Sequence, residues 1–200
     1  MFEQFVQVFS QLNGHLILLA GILFTLGIVL ADPVLERNIG WLISYPVWVY
    51  KNIEKLMEHL SSVLLTFLFI FFFNAVNLFL GLVSGFLVIL PILLAVWTGL
   101  NVGIVARKMM IEQNQAGSLW PIFLNPVAVF ELPASWISFS IGLEMGIKYL
   151  SVSKYAVVGS LFLERLSLFF YLVIPMLIVA ALLEAAIIHY IKNKMGDKDD

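Results

Sequence analysis

The sequence predicts an all-α polytopic membrane protein, a helical bundle with about five transmembrane helices, a broken or re-entrant element and an interfacial amphipathic segment. Three observations predict this fold class. Of the 200 residues, 62% are hydrophobic and 12% are charged, and the mean hydropathy is +1.01, which exceeds that of typical water-soluble domains. The apolar residues form runs near the length of about 20 residues that a helix needs to cross a bilayer. Small residues also recur at helical spacing within the runs. We therefore expect one integral membrane domain over residues 1–200.

Four long, predominantly apolar runs are candidate spans. They cover residues 12–31, 62–80, 82–106 with an expected kink at Pro91, and 161–190 with Pro175. We expect Asp32 and Pro33 to end the first span, because proline cannot continue the helical hydrogen-bond ladder. The N-terminal residues lack a basic n-region and a small-residue cleavage site, so the first span is expected to be retained.

Two segments do not fit a straight span. Residues 33–60 mix charged side chains with four aromatic ones, which is typical of a segment at the level of the lipid headgroups. Residues 119–150 are too many for one span and too few for two. Three prolines cut this stretch, at positions 121, 126 and 133, so a broken or re-entrant element is predicted there.

The distribution of positive charge predicts the orientation. With the N-terminus outside, eight of the 11 lysines and arginines fall on the cytoplasmic side, and only Lys148, Lys154 and Arg165 fall outside. The C-terminal tail, residues 192–200, is then cytoplasmic. The expected location is the cell membrane.

Small residues at every fourth position form ladders on three of the predicted helices. In lipid there is little hydrophobic force between helices, so close backbone approach along such faces stabilises a bundle. Packing alone is the simplest interpretation of these ladders. They consist of Gly81 and Gly85; Ala95, Gly99 and Gly103; and Ala134, Ser138, Gly142 and Gly146.

Polar residues within the apolar runs are the candidate functional groups. Glu131 lies between Pro126 and Pro133, and Glu184 lies within a run of alanines and leucines. A charge at membrane depth costs roughly 2.5 kcal/mol or more, so each carboxylate should face protein or find partners. The topology places both in the cytoplasmic half of the membrane, where they could meet in a polar pocket. Asn74 falls within about 20° of the Gly81 and Gly85 face.

A structural role for these carboxylates is an equal alternative. Glu131 could cap a helix that begins near Pro133, and a protonated Glu184 could donate to a backbone carbonyl. Asn77, near Asn74, is also expected to point into the bundle.

Several function classes are disfavoured by the composition. The net charge of -2 and the absence of a basic block argue against nucleic acid as a partner. With no cysteine, and with histidines that lack metal-ligand spacing, we expect no metal and no cofactor. No hydrolase motif is present, so an enzyme is not expected.

Glu144 and Lys148, four residues apart, are predicted to form a local ion pair, and Glu164 and Arg165 a second pair at a membrane end.

Four separated blocks, in order, resemble the stage II sporulation protein M family across roughly residues 71–188. The blocks are FFFNAVNLFLGLVSG, WTGLNVG, NPVAVFELPASWISFSIGLEMG and IPMLIVAALLEAAI. The residues that correspond to the family pattern are Asn74; Thr98 and Gly99; Pro126, Glu131, Leu132 and Pro133; and Ala180, Glu184 and Ala185. Thr98 stands where the family has asparagine, and Val127 and Ala128 stand where it has His-Gly. No role of that histidine is therefore carried over.

The resemblance implies a multi-pass membrane scaffold that binds membrane or cell-envelope proteins, as the family's named member anchors cell-wall hydrolases. Lipid and a second copy of the chain are further expected partners. The polar groups Glu131, Glu184, Asn74 and Thr98 equally suit the alternative, a small permease or channel-like component with a polar intramembrane pocket.

Overall fold

The computed structural model describes residues 9–112 and 121–196, and within these ranges the regular structure is entirely helical. A 3-10 turn, Ser84–Leu87, extends the helix that ends at Val83, and a π-helical segment, Phe169–Val173, joins the helix that ends at Leu168 to the one that begins at Ile174. The eight helices of the described residues are α1 Gly14–Glu36, α2 Gly40–His59, α3 Val63–Val83, α4 Leu90–Glu112, α5 Pro121–Leu124, α6 Ala128–Val152, α7 Tyr155–Leu168 and α8 Ile174–Gly196.

Four helical stretches within the described residues are long and apolar enough to cross a membrane. They are Gly14–Glu36, Val63–Leu87, Leu90–Glu112 and Tyr155–Lys194. The prediction of an all-α membrane protein with several spans is confirmed. The count of five is not, because α6 carries Glu131, Glu144 and Lys148 and does not meet the same criterion. The re-entrant element is likewise not confirmed, and its residues 119–120 lie outside the described residues.

The sequence predicted that the first helix ends at Asp32 and Pro33, and this prediction is wrong. The helix continues to Glu36, with Pro33 in its last turn. The residue that ends α1 is Asn38, which adopts a left-handed backbone conformation with φ of 50°. The amide of Ile39 then donates to the carbonyl of Val34 at 3.1 Å, the pattern of a Schellman C-cap. Asparagine tolerates this conformation better than most residues, so it ends the helix.

Helices α1 and α4 run parallel with their backbones in contact. A Cβ added at Gly99 would lie 1.9 Å from the Phe24 carbonyl oxygen, and one at Gly27 would lie 2.1 Å from the carbonyl oxygen of Val96. One turn further along, Gly103 meets Ile28 and Ala31 in the same way. Only glycine fits at such a crossing, because any side chain would overlap the facing main chain.

Helices α3 and α6 form a second parallel pair with main-chain contact. A Cβ at Gly85 would lie 2.5 Å from the Gly142 carbonyl oxygen, and one at Gly142 would lie 2.7 Å from that of Gly81. The hydroxyl of Ser138 donates to the carbonyl of Leu78 at 2.5 Å. Beyond this crossing, Gly146 packs against the backbone of Val88. The predicted small-residue faces thus lie at helix contacts.

Helix α8 runs antiparallel to α3 and fastens α2 to the bundle. Thr66 and His189 are hydrogen-bonded at 3.0 Å, so the start of α3 lies beside the end of α8. The ammonium of Lys192 donates to the carbonyls of Met57 at 2.7 Å and Leu60 at 3.4 Å. A cation at the end of α2 satisfies carbonyls that have no partner within the helix and complements its dipole.

Helix α6 is the central helix of the bundle. Most of its side chains from Leu132 to Gly146 are buried. Its first residue is Ala128, so the prediction that a helix begins near Pro133 is wrong. The side chain of Asn125 accepts a hydrogen bond from the amide of Val127 at 3.0 Å, which closes the turn at Pro126. Pro133 follows inside the helix without breaking it.

Substituting Gly99 or Gly142 by alanine should lower the free energy of unfolding by about 1–3 kcal/mol, because the added methyl group overlaps a facing carbonyl oxygen. Gly159→Ala is the matched control, since a Cβ at Gly159 meets no atom within 4 Å. That variant should be neutral or more stable by up to about 1 kcal/mol, from helix propensity alone. Thermal melting in detergent measures all three. Equal melting of Gly99→Ala and Gly159→Ala would contradict backbone contact at the α1–α4 crossing.

Candidate functional site: two carboxylates between α6 and α8

Glu131 lies in the first turn of α6, where its helix leaves the Asn125–Val127 turn. Its side chain is half-buried. No hydrogen bond to the Glu131 carboxylate occurs within residues 9–112 and 121–196, and the first turn of α6 has no side-chain cap from Glu131. The backbone carbonyl of Glu131 instead accepts from the hydroxyl of Ser135 at 2.9 Å. The capping role that the sequence allowed is therefore not the one observed.

Glu184 approaches Glu131 from α8. It is half-buried, and it follows Leu177 by two helical turns, so the two side chains share a face of α8. Leu177 packs in one core cluster with Ala134 and Ile137 of α6. The carboxyl groups of Glu131 and Glu184 are close enough to interact electrostatically. Two such groups can share a proton or hold a cation.

No hydrogen bond joins the other two predicted polar residues, Asn74 and Thr98, to the carboxylates within the described residues. Asn74 is half-buried on α3, one turn before Leu78, and so lies roughly level with the start of the α6 contact. Thr98 is half-buried on α4. Its neighbours on the same side of α4, Leu94 and Val102, pack in clusters with Trp136 of α6. An electrostatic interaction therefore links Glu131 to Glu184, and the four-residue pocket remains a prediction.

The sequence predicted that Asn77 points into the bundle, and this prediction is wrong. Asn77 is exposed, and its amide nitrogen donates to the carbonyl of Phe73 at 2.9 Å. Asn77 lies about 60° from Asn74 around the axis of α3. This rotation is enough to place Asn74 on the packed face and Asn77 on the outer face.

Two buried polar atoms were missed by sequence reasoning. The side-chain oxygen of Asn101 and the indole nitrogen of Trp136 are buried, and neither has a hydrogen-bond partner in the described part of the chain. The ring of Trp136 covers Gly21 of α1 at 3.3–3.5 Å from the position of an added Cβ. Asn101 follows Thr98 by three residues, so its place beside a candidate polar residue was the available signal.

Two bidentate ion pairs join neighbouring helices, one pair at each end of the bundle. Arg165 of α7 donates to both carboxylate oxygens of Glu144 at 2.8 and 2.9 Å, so the predicted Glu144–Lys148 pair is wrong. A half-buried guanidinium has the fork geometry that an exposed lysine lacks. The predicted Glu164–Arg165 pair is present at 3.1 Å. At the other end, Arg107 of α4 donates to Asp32 of α1 at 2.5 and 2.7 Å.

Histidine and carboxylate side chains do not assemble into a metal-binding group of three or more anywhere in the described residues. His189 is engaged by Thr66, and His59 by the backbone carbonyl of Lys55 at 2.7 Å. Two carboxylates alone make a sparse set for a divalent cation, which usually takes six or more oxygen ligands.

The apolar helices and the half-buried carboxylates between them define a polytopic helical membrane protein. The family model described as stage II sporulation protein M matches residues 15–187 of the chain. The chain belongs to this family, which confirms the resemblance noted from the four sequence blocks. No curated protein and no solved structure matches it.

Replacing Glu131 and Glu184 by glutamine tests whether the two carboxyl groups act as a unit. Each single variant should retain the stability of the parent, because glutamine keeps the shape while removing a costly charge. The double variant should deviate from additivity by about 0.5–3 kcal/mol, as expected for interacting groups. Melting in detergent gives all terms of the cycle. Glu131→Gln combined with Glu164→Gln, at the far end of the bundle, should be additive; additivity in both cycles would rule out the carboxylate pair.

Proposed function

We propose that this protein is a membrane scaffold, a rigid bundle in the cell membrane that binds membrane or cell-envelope proteins and has no catalytic activity of its own. The observation that carries the proposal is the main-chain contact at the Gly27–Gly99 and Gly85–Gly142 crossings. A transporter alternates access by moving one part of its bundle against another. Helices that interlock through their backbones resist such movement and suit a protein that holds others in place.

The proposed topology has five crossings, formed by α1, α3, α4, α6 and the continuous stretch from α7 to α8. The parallel pairs α1–α4 and α3–α6 support it, as does the antiparallel α3–α8 pair. Helix α6 is 25 residues long, which at 1.5 Å per residue is enough for a bilayer. The ends that carry Arg107 and Lys192 then share one side, and the positive-inside rule makes that side cytoplasmic.

Helix α2 is the proposed partner-binding surface on the cytoplasmic side. Trp41, Tyr45 and Trp48 are exposed along one stripe, at the spacing of one helical face. Aromatic residues of this kind favour the headgroup layer. The second half of the helix exposes Lys51, Glu54 and Lys55, which are available to a soluble or membrane-bound protein.

A second candidate function, transport of protons or a small cation, is favoured by one observation, the approach of Glu131 to Glu184. Acidic residues between transmembrane helices commonly mark ion or proton pathways. Asn74 and Thr98 would supply further polar lining in this alternative.

The orientation is tested with single cysteines, since the chain has none of its own. An impermeant maleimide applied to intact cells should label Lys154→Cys and should leave Asn193→Cys unmodified. Both positions are exposed at the ends of the last crossing, so they form a matched pair. After permeabilisation both should react. Labelling of Asn193→Cys in intact cells would reverse the topology.

A photo-crosslinking residue at Lys55 should capture one predominant protein in native membranes at near-stoichiometric yield, because that position is exposed on the proposed binding surface. The same probe at Leu93, exposed on the outer face of α4, should capture lipid. The transport alternative predicts the opposite set of results: no protein at Lys55, and a proton flux in proteoliposomes that Glu131→Gln abolishes.

A further inference from the structure

The outer face of α3 carries a polar group where a lipid-facing helix should have none. Phe72, Phe73, Val76 and Leu80 are exposed along this face. Asn77 is exposed among them, near the middle of the span Val63–Leu87. A shallow, open groove formed by side chains of α3 alone lies beside it. The residues that line the groove are Leu68, Phe69, Phe72, Phe73, Val76 and Asn77.

The Asn77 amide is only partly satisfied. A primary amide offers two N–H donors and two acceptor lone pairs. One N–H donates to the carbonyl of Phe73, and no other partner occurs in the described part of the chain. Hydrocarbon cannot supply the remaining hydrogen bonds, so the bare amide is unfavourable at this depth. The face therefore requires a partner with a polar group at the same level.

We propose that a second copy of this chain docks on the outer face of α3 and that the two Asn77 amides hydrogen-bond each other. When two copies with the same topology form a closed symmetric dimer in one membrane, they are related by a twofold axis along the membrane normal. Each residue then meets its counterpart at its own depth. An amide is both donor and acceptor, so Asn77 is complementary to itself, as a carboxylate or ammonium would not be.

The groove supplies the shape that such a contact needs. Two α3 helices related by this axis run parallel, so the exposed rings of Phe72 and Phe73 of one copy lie opposite the groove of the other. Phe73 is braced by a stacked contact with Phe69, with ring centroids 6.0 Å apart. Packing of this kind is the main attraction between helices in lipid, and the amide pair fixes the register.

This inference rests on the proposed topology and specifies the surface through which the second copy expected from the sequence would bind. It is measured on the purified full-length protein, so its outcome does not depend on whether a scaffold partner is ever captured. A monomer would refute the α3 contact while leaving a cytoplasmic binding surface on α2 unaffected.

The first experiment is cysteine crosslinking in lipid vesicles. Under mild oxidation Asn77→Cys should form a disulfide-linked dimer, because the two positions meet near the axis. Leu26→Cys, exposed near the middle of α1, is the matched control and should stay monomeric. No dimer from Asn77→Cys, or equal dimer from both variants, would overturn the proposal.

The second experiment measures dimerisation of dye-labelled protein by energy transfer at graded protein-to-lipid ratios. Asn77→Leu should weaken the dimer by about 3- to 20-fold, the range expected for interhelical polar contacts in membranes, whereas Asn77→Gln should retain most of the affinity. Unchanged dimerisation of Asn77→Leu would overturn the role of the amide. Crosslinking of Asn77→Cys in native membranes to a different protein, with no self-dimer in vesicles, would replace the second copy by a heterologous helix.

Discussion

Contact between helix backbones is the constraint on which the rest of this structure depends. Lipid tails solvate apolar side chains about as well as another helix does, so there is little hydrophobic force between helices. Association of the helices must therefore come from dispersion forces, which decline steeply with distance. Glycine at the α1–α4 and α3–α6 crossings removes the side chains that would hold the axes apart. The two crossings position α6 at the centre, and α6 in turn carries Glu131, Ser138 and Glu144. The polar residues of α6 therefore take their positions from these glycine crossings.

Much of the fold could be predicted from the sequence, because the relevant signals are local. Hydropathy predicted the spans, and small residues at every fourth position predicted the packing faces of α3, α4 and α6. Gly27 was missed because its face of α1 also contains Phe24 and Ile28, whose bulk hides the pattern. Helix ends were less predictable. Pro33 and Pro133 are accommodated near the ends of their helices, whereas Asn38 and Asn125 set the true boundaries through backbone conformation and a side-chain hydrogen bond.

The candidate site could be predicted only in part, for a physical reason. The approach of Glu131 to Glu184 follows from depth, which the order of the spans determines. Side-chain partners depend on rotation about each helix and on competition between donors. Lys148 lies one turn from Glu144, yet Arg165 from another helix forms the bidentate pair. For the buried oxygen of Asn101 the position three residues after Thr98 was the available signal. The burial of the Trp136 nitrogen gave no sequence signal, because it is created by the neighbouring helices.

The position of the carboxylates relative to the crossings connects the two proposed roles. The α3–α6 crossing lies at Gly81, Gly85 and Gly142, about three turns from Glu131. The α1–α4 crossing lies closer, because Phe24 and Ile28 pack in one cluster with Leu132, the neighbour of Glu131. At the level of the carboxylates the contact between α3 and α8 is made by Ile70, Ala181 and Ala185, and Met57 of α2 packs in the same cluster. Met57 thus connects α2, which carries the proposed binding surface, to the part of α8 that carries Glu184, because it packs in one cluster with Ala181 and Ala185.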